Sequence, residues 1–325
     1  MKIIIRSEEV KDYSKIANVN YLAFHNWKPD NPFVRESIMV DVLRQHSGFN
    51  PELSLVAEVE GKIVGHVLFL QFDFIVMGEV IQGMILGPVA VKPEFQKLGV
   101  GKALIETGHK KAEDLGIQIS LCCGHDKYYP KFGYKNAMFS LGGVKVSDKS
   151  KDSKGLDYKL RNLEEADESF LKPLWLEWHK DDVLAVCPGG NLSDWVNYNE
   201  KCEVKIVEVN ENPIGYIRYQ IFNGLEVKEL MAVEGEFINM LNATLNISKG
   251  KKIDSVNLLM DMEKIERLVG QDKIFDIENR YSVYDAFMIK SLKENSVVDQ
   301  YLDKVINKEI KAGVISLTNV YDIEE

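Results

Sequence analysis

Residues 86–104 read Leu-Gly-Pro-Val-Ala-Val-Lys-Pro-Glu-Phe-Gln-Lys-Leu-Gly-Val-Gly-Lys-Ala-Leu, and few folds accommodate that order. The stretch opens as a strand, with Val89 and Val91 apolar. Pro93 turns it, because a central strand cannot continue through a residue that lacks an N–H. Gln96-x-x-Gly99-x-Gly101 then leads into an amphipathic segment. Leu104, Ala112 and Leu115 share one of its faces, and Gly116 is a C-cap signal. The glycines therefore sit where a loop becomes the first turn of a helix. The N–H groups there lack intrahelical partners, and the helix dipole is positive. Glycine lets a phosphate approach those donors with no Cβ in the way. The stretch reads as a pyrophosphate cradle, with an ordinary strand-to-helix turn as the alternative.

Two other phosphate loops are excluded. The dinucleotide fingerprint needs G-x-G-x-x-G and the Walker loop needs G-x-x-x-x-G-K-[ST]. Neither occurs here, since Lys102 is followed by Ala103. The order of strand, V-A-V-x-P, Q-x-x-G-x-G and capped helix resembles the acetyl-CoA loop of the GNAT superfamily of N-acetyltransferases. The resemblance implies that Gln96, Lys97, Leu98, Gly99, Val100, Gly101 and Lys102 hold the cofactor's pyrophosphate. It also implies that the backbone of Val89, Ala90 and Val91 contacts the pantetheine arm, with the Val89 N–H polarising the thioester carbonyl. Pro88 interrupts the same strand, so the sheet is expected to bulge or part there.

Ile117-Gln-Ile-Ser-Leu-Cys122 is the next strand. Gly124-His-Asp-Lys-Tyr-Tyr-Pro-Lys-Phe-Gly-Tyr134 follows it. This run resembles the superfamily's second signature, in which the second aromatic, here Tyr129, lies near the thioester sulfur. The resemblance makes Tyr129 the acid that protonates the leaving thiolate. A thiolate with an ordinary pKa near 8.5 needs a donor of comparable or higher pKa, which a phenol supplies. Tyr128 reads as packing.

Composition bounds the rest. A chain of 325 residues has room for two domains. The net charge of -10, without a basic tract, argues against nucleic acid and is compatible with a cationic small substrate. No apolar run of membrane-spanning length occurs, and the start, Met1-Lys-Ile-Ile-Ile-Arg6, goes polar too soon for a signal peptide. Cys122, Cys123, Cys187 and Cys202 form no C-x-x-C pair. They read as free thiols of a reducing, cytoplasmic setting. The six histidines lack metal-ligand spacing, so no metal is expected.

Ile3–Arg6 reads as a strand, and the segments from Glu8 to Phe24 and from Val34 to His46 read as helices. Ser54–Val59 and Lys62–Asp73 read as a strand–turn–strand unit about Glu60-Gly61. The second of these strands is apolar at nearly every position, which requires helices on both faces of the sheet. His66 within it reads as a satisfied core histidine, with a catalytic role as the alternative. Asp148 to Gly155 has no apolar residue and reads as a linker. The expected domains are thus residues 1–150, catalytic and binding acetyl-CoA, and residues 156–325.

The second half echoes the first. Glu58-Val59 and Gly65-x-Val67 match Glu208-Val209 and Gly215-x-Ile217. Ala90-Val91-x-Pro93-Glu94-Phe95 matches Ala232-Val233-x-Gly235-Glu236-Phe237, and Ile5-Arg6 matches Leu160-Arg161. The shared order points to a duplicated fold. Where the first copy has Gln96–Gly101, the second has Ile238-Asn-Met-Leu-Asn-Ala243. Leu241 is expected to fill the space a phosphate needs. No tyrosine signature follows, since Asn279-Arg-Tyr-Ser-Val-Tyr284 lacks its phenylalanine and glycine. Ser296–Lys311 reads as a helix and Gly313–Val320 as a final strand.

The expected fold is therefore α/β: a mixed, mostly antiparallel sheet flanked by helices, in two copies of which the second is degenerate. The expected activity is acetyl transfer from acetyl-CoA to a primary amine of a small molecule or peptide, by direct attack. A non-catalytic acyl-CoA sensor is the alternative. Glu58, His66 and Glu79 are candidate bases between which no motif chooses. Trp27, Phe33 and Arg35 are acceptor contacts on resemblance of position. The second domain is expected to wall the acceptor site or only to stabilise its neighbour. The sequence carries no signal for the oligomeric state.

Overall fold

In the computed structural model, which describes residues 1–25, 33–148, 157–222, 224–270 and 275–321, two seven-stranded sheets share the order and direction of five of their strands. The first half runs β1 (Ile4–Ser7), α1 (Tyr13–Phe24), α2 (Glu36–Leu43), β2 (Ser54–Val59), β3 (Lys62–Val76), β4 (Glu79–Val91), α3 (Val100–Asp114), β5 (Ile119–Cys123), β6 (Phe139–Ser140) and β7 (Val144–Asp148). The second runs β8 (Lys159–Arg161), α4 (Glu168–His179), β9 (Leu184–Val186), β10 (Cys202–Val209), β11 (Asn212–Ile221), β12 (Leu225–Ala232), α5 (Phe237–Gly250), β13 (Ser255–Leu258), α6 (Met262–Val269), β14 (Phe275–Asn279), β15 (Phe287–Ser291), α7 (Val297–Ile306) and β16 (Gly313–Val314).

Strands β1 to β4 are antiparallel neighbours, and β5 joins β4 in parallel. In the second sheet β8, β10, β11 and β12 repeat the antiparallel run, and β13 joins β12 in parallel. The echo extends to side chains. Arg6 binds Asp12 (2.6 Å) and Glu58 (3.3 Å), while Arg161 binds Asp167 (2.6 Å) and Glu208 (2.5 Å). Both first hairpins shift register at the same place, before Glu58 and before Glu208. Glu58 is thereby a structural ion-pair partner.

A boundary near residue 150 falls between β7 and β8, which lie in the same sheet, so each sheet draws strands from both sides of it. The sixth place in the first sheet belongs to β15, beside β5. The sixth place in the second belongs to β7, beside β13. Strand β9 also joins the first sheet, through β3. A further core cluster straddles the halves, with Ile75 packed among Trp175, Trp195, Tyr216 and Met231. Residues 149–156, most of the expected linker, lie outside the described residues.

Strand β3 is buried on both faces, as its apolar run requires. Helix α1 lays Ile16 and Val19 on one face, and α3 lays Leu104, Ile105 and Ala112 on the other. Gly65 makes the second contact possible, since a Cβ there would meet Val100 at 2.8 Å and Leu104 at 3.0 Å. Gly215 does the same for Met240 of α5, at 2.7 Å. The expected final strand is confined to β16, which pairs with β6, before the chain returns to the first sheet at Val320 and Tyr321.

Candidate active site

Strand β4 starts beside β5 and then leaves it. The pairing runs from Gly83–Ile119 to Ile85–Leu121 and stops. On its other side β4 bulges against β3: Leu86 pairs with Phe69 and Val89 with Val67, so Gly87 and Pro88 face Leu68 alone. Proline removes a ladder donor at this point, which is the physical reason the sheet parts here. The result is a wedge between β4 and β5.

At the open end of the wedge lies the loop before α3. Gly99 is the N-cap of that helix and sits in the left-handed region at φ 86°, which an L side chain rarely adopts. The Gln96 side chain donates to the Val91 carbonyl at 3.0 Å and pins the loop to the strand. The first helical bond is Ala103 N–H to Gly99, so the four donors before it point out of the helix end. A Cβ on Gly101 would lie 2.7 Å from the Tyr128 hydroxyl. Bare backbone is therefore enforced at a helix N-terminus, the arrangement that suits a phosphate.

One cleft of about 1040 Å³ joins these parts. Leu86, Gly87, Pro88, Val89 and Val91 line its strand side, and Gln96, Lys97 and Gly101 its helix side. The other site residues expected from sequence stand apart from the lining. Ala90 and Val100 point into the core, Leu98 is exposed, and Lys102 pairs with Glu106 across the helix surface at 3.8 Å. Of Ala90 and Val100 only the backbone is available to a ligand.

Tyr128 and Tyr129 both line the cleft, with their rings 5.3 Å apart and edge-on. Tyr129 covers Gly124, where a Cβ would come within 2.4 Å of the ring. Burial raises the Tyr129 hydroxyl above the usual phenol value, with the neighbouring cysteines and Tyr128 adding to the shift, so it keeps its proton at neutral pH. The cysteines themselves are free thiols.

The candidate bases do not meet the cleft. Glu58 is held by Arg6. Glu79 is exposed at the far hairpin, opposite Val76. His66 is fully buried between Ser54 (3.1 Å) and Asn20 (3.4 Å), beside the Glu8–Arg44 pair, so it is a core histidine. The carboxylate that does line the cleft is Glu36 in the first turn of α2, beside Arg35. Of the three acceptor contacts named from sequence, Arg35 lines the cleft and Phe33 does not. Trp27 lies outside the described residues.

The remaining wall was not legible in the sequence. Asn199, Lys201, Gln220, Phe222 and Lys228 come from the second half, and Phe287, Leu317 and Tyr321 follow from residues that return to the first sheet. The cations Arg35, Lys97, Lys201 and Lys228 outnumber Glu36, so the lining does not repeat the acidic balance of the chain.

A second cavity of about 960 Å³ lies in the second half, beside α6. Four of its charged groups satisfy one another. His179 bridges Asp182 (2.6 Å) and Glu229 (3.2 Å), and Lys264 binds Asp182 (2.8 Å) and the Trp178 carbonyl (2.8 Å). We read these four as a structural network, because each of them already holds a charged partner. Among the described residues, no cluster of three or more His, Cys, Asp or Glu is arranged to hold a metal ion. No described helix is long and apolar enough to cross a membrane.

Residues 21–134 match the family described as Acetyltransferase (GNAT). The uncharacterized N-acetyltransferase YjhQ of Escherichia coli is 41% identical over 105 residues, 32% of this chain and 57% of that protein. The uncharacterized N-acetyltransferase YhbS of the same organism is 30% identical over 86 residues, 26% of this chain and 50% of its own length. The chain thus spans about half the length of these curated relatives. Solved structures extend the likeness over both halves. A probable N-acyltransferase from Enterococcus faecalis superposes with a TM-score of 0.65 at 14% identity, over 90% of this chain and 73% of that one. A GCN5-related N-acetyltransferase from Anabaena variabilis gives 0.64 at 15%, over 90% and 73%. At such identities the likeness is one of fold.

Proposed function

From the premise that residues 21–134 form a domain of the GNAT acetyltransferase family, we propose that this chain moves an acetyl group from acetyl-CoA to a primary amine. The observation that carries the proposal is the single cleft, which has a bare helix N-terminus at one end and two tyrosines beside a strand wedge. The pyrophosphate would lie on the N–H groups before Ala103, and the pantetheine arm along Val89–Val91.

In this reading the neutral amine attacks the thioester carbonyl, which the Val89 N–H polarises. The C–S bond breaks, and the Tyr129 hydroxyl gives its proton to the thiolate. The proton lost by the amine returns to the tyrosinate directly or through water. Glu36, a carboxylate in the cleft lining, is our candidate to carry it. Holding both reactants in one cleft supplies much of the rate, since orientation replaces a bimolecular encounter.

The acceptor would occupy the end of the cleft walled by Arg35 and Glu36 from the first half and Lys201 and Lys228 from the second. That lining supports an amine carried by a small molecule or peptide. The test is release of free thiol from acetyl-CoA with a panel of amines that includes amino acids and peptides. Amine-dependent release is expected. Tight acetyl-CoA binding with no release for any amine would favour the acyl-CoA sensor instead.

A further inference from the structure

The chain comes back to the wedge at its blind end. After β16 the Ile315 N–H binds the Ser140 carbonyl at 2.9 Å, and Ile315 and Val320 are buried in the first half's core. These contacts deliver Tyr321 to the place where β4 and β5 part. Its hydroxyl donates to the Ile85 carbonyl at 3.3 Å, and Ile85 is the last residue of β4 paired with β5. Its ring lies 6.3 Å from that of Phe72, and a Cβ on Gly87 would be 3.9 Å from the ring edge. Leu141, Phe287 and Leu317 pack with Tyr321 against the same apolar core and line the same cleft.

The geometry of the cradle decides what would meet that ring. From Val91, beside the cradle, back to Ile85 is about 20 Å at a strand's rise per residue. An extended pantetheine arm laid along β4 covers that span and sets its acyl group down near Leu86 and Gly87. Tyr321 closes the space just beyond. Because the Ile85 carbonyl satisfies its hydroxyl, the ring presents apolar edge to whatever enters.

We propose that Tyr321 is the floor of the acyl pocket and holds the transferable group to acetyl length. The proposal rests on the acetyltransferase reading above. An added methylene in a closed apolar pocket is discriminated by about tenfold or more, so a fixed ring suffices.

The test is calorimetry on the full chain with CoA, acetyl-CoA, butyryl-CoA and hexanoyl-CoA. Wild type should bind acetyl-CoA more tightly than butyryl-CoA. Tyr321→Ala should raise the butyryl-to-acetyl affinity ratio about tenfold or more while CoA itself binds as before. Tyr321→Phe keeps the ring and should keep the wild-type ratio. If the alanine variant does not fold, Tyr321→Leu makes the same comparison. An unchanged ratio in the shortened variants overturns the proposal, as does a phenylalanine variant that relaxes as far as alanine. Wild type that binds no CoA at all overturns the acetyltransferase reading itself, which separates the two failures.

Discussion

In the first half eight residues, 92–99, carry the chain from β4 to α3. In the second, four residues, 233–236, carry it from β12 to α5. Around these connections the halves agree closely: the strand order, the hairpin register shift, the Arg–Asp–Glu cluster and the glycine under the helix all recur. The difference teaches that a fold and its ligand site are separable. Sheet and helix bury the core in both halves, whereas the cradle is an insertion between them that only the first half has.

This changes the reason the second half is expected to lack the cofactor. Leu241 does not stand in a phosphate's place. It lies inside α5, fully buried among Val256, Leu258 and Ile265, and its neighbour Met240 covers Gly215 as Val100 and Leu104 cover Gly65. The loop is shortened, and no side chain blocks it. The sequence match placed Leu241 opposite Gly99 because a gapless comparison cannot show a four-residue deletion.

The comparison breaks most sharply at Gly99. Gly99→Glu should weaken acetyl-CoA binding by about a hundredfold or more while the fold survives, because a carboxylate would meet the pyrophosphate and a side chain would strain the left-handed N-cap. Calorimetry with circular dichroism checks both halves of that statement. Next is Tyr129→Phe, expected to lower kcat about ten- to a thousandfold with cofactor affinity little changed. Thiol-release kinetics under conditions where chemistry limits the rate would expose a silent variant and remove Tyr129 from the mechanism.

Leu241→Ala should act on stability alone. It should cost about 2–5 kcal/mol by denaturant unfolding, as a buried leucine does, and leave cofactor stoichiometry unchanged. A change in stoichiometry would mean that the second half takes part in binding.

The smallest effects sharpen the contrast through pH. In the first half His109 is held at about 3 by burial and by the Lys290 charge. Its folded value is below its ordinary one, so stability is full above about 6.5 and drains away as pH falls toward about 3. In the second half burial disfavours the charged form of His179, but Asp182 and Glu229 outweigh it and its pKa is raised. Its contribution is full below about 6.5 and is lost as pH rises through the folded value. His109→Gln should therefore flatten the acid limb of a Tm–pH profile, by about 2 kcal/mol at pH 5, and His179→Gln the neutral-to-alkaline limb. The same limb altered by both variants would contradict the assignment.

What sequence could show followed from local chemistry. Pro88, Gly99, Gly101 and the Tyr128–Tyr129 run lie within one continuous stretch, and each constrains its own backbone, so the parted strand and the glycine that opens α3 were readable. The doubly apolar β3 announced helices on both faces. The exchange of β7 and β15 was not readable, because a strand of five residues carries no mark of which sheet it joins. Nor was Tyr321, which reaches Ile85 across 236 residues. The cleft's far wall is made almost wholly of such distant pieces, and so the acceptor side stayed open where the cofactor side did not.

The central claim is one working cofactor site in a chain that builds the fold twice. Calorimetric titration of the full chain with acetyl-CoA tests it most directly. The account predicts saturation at about one equivalent, abolished by Gly99→Glu, as one cradle implies. Two equivalents, or one equivalent that survives Gly99→Glu in a folded chain, would contradict it.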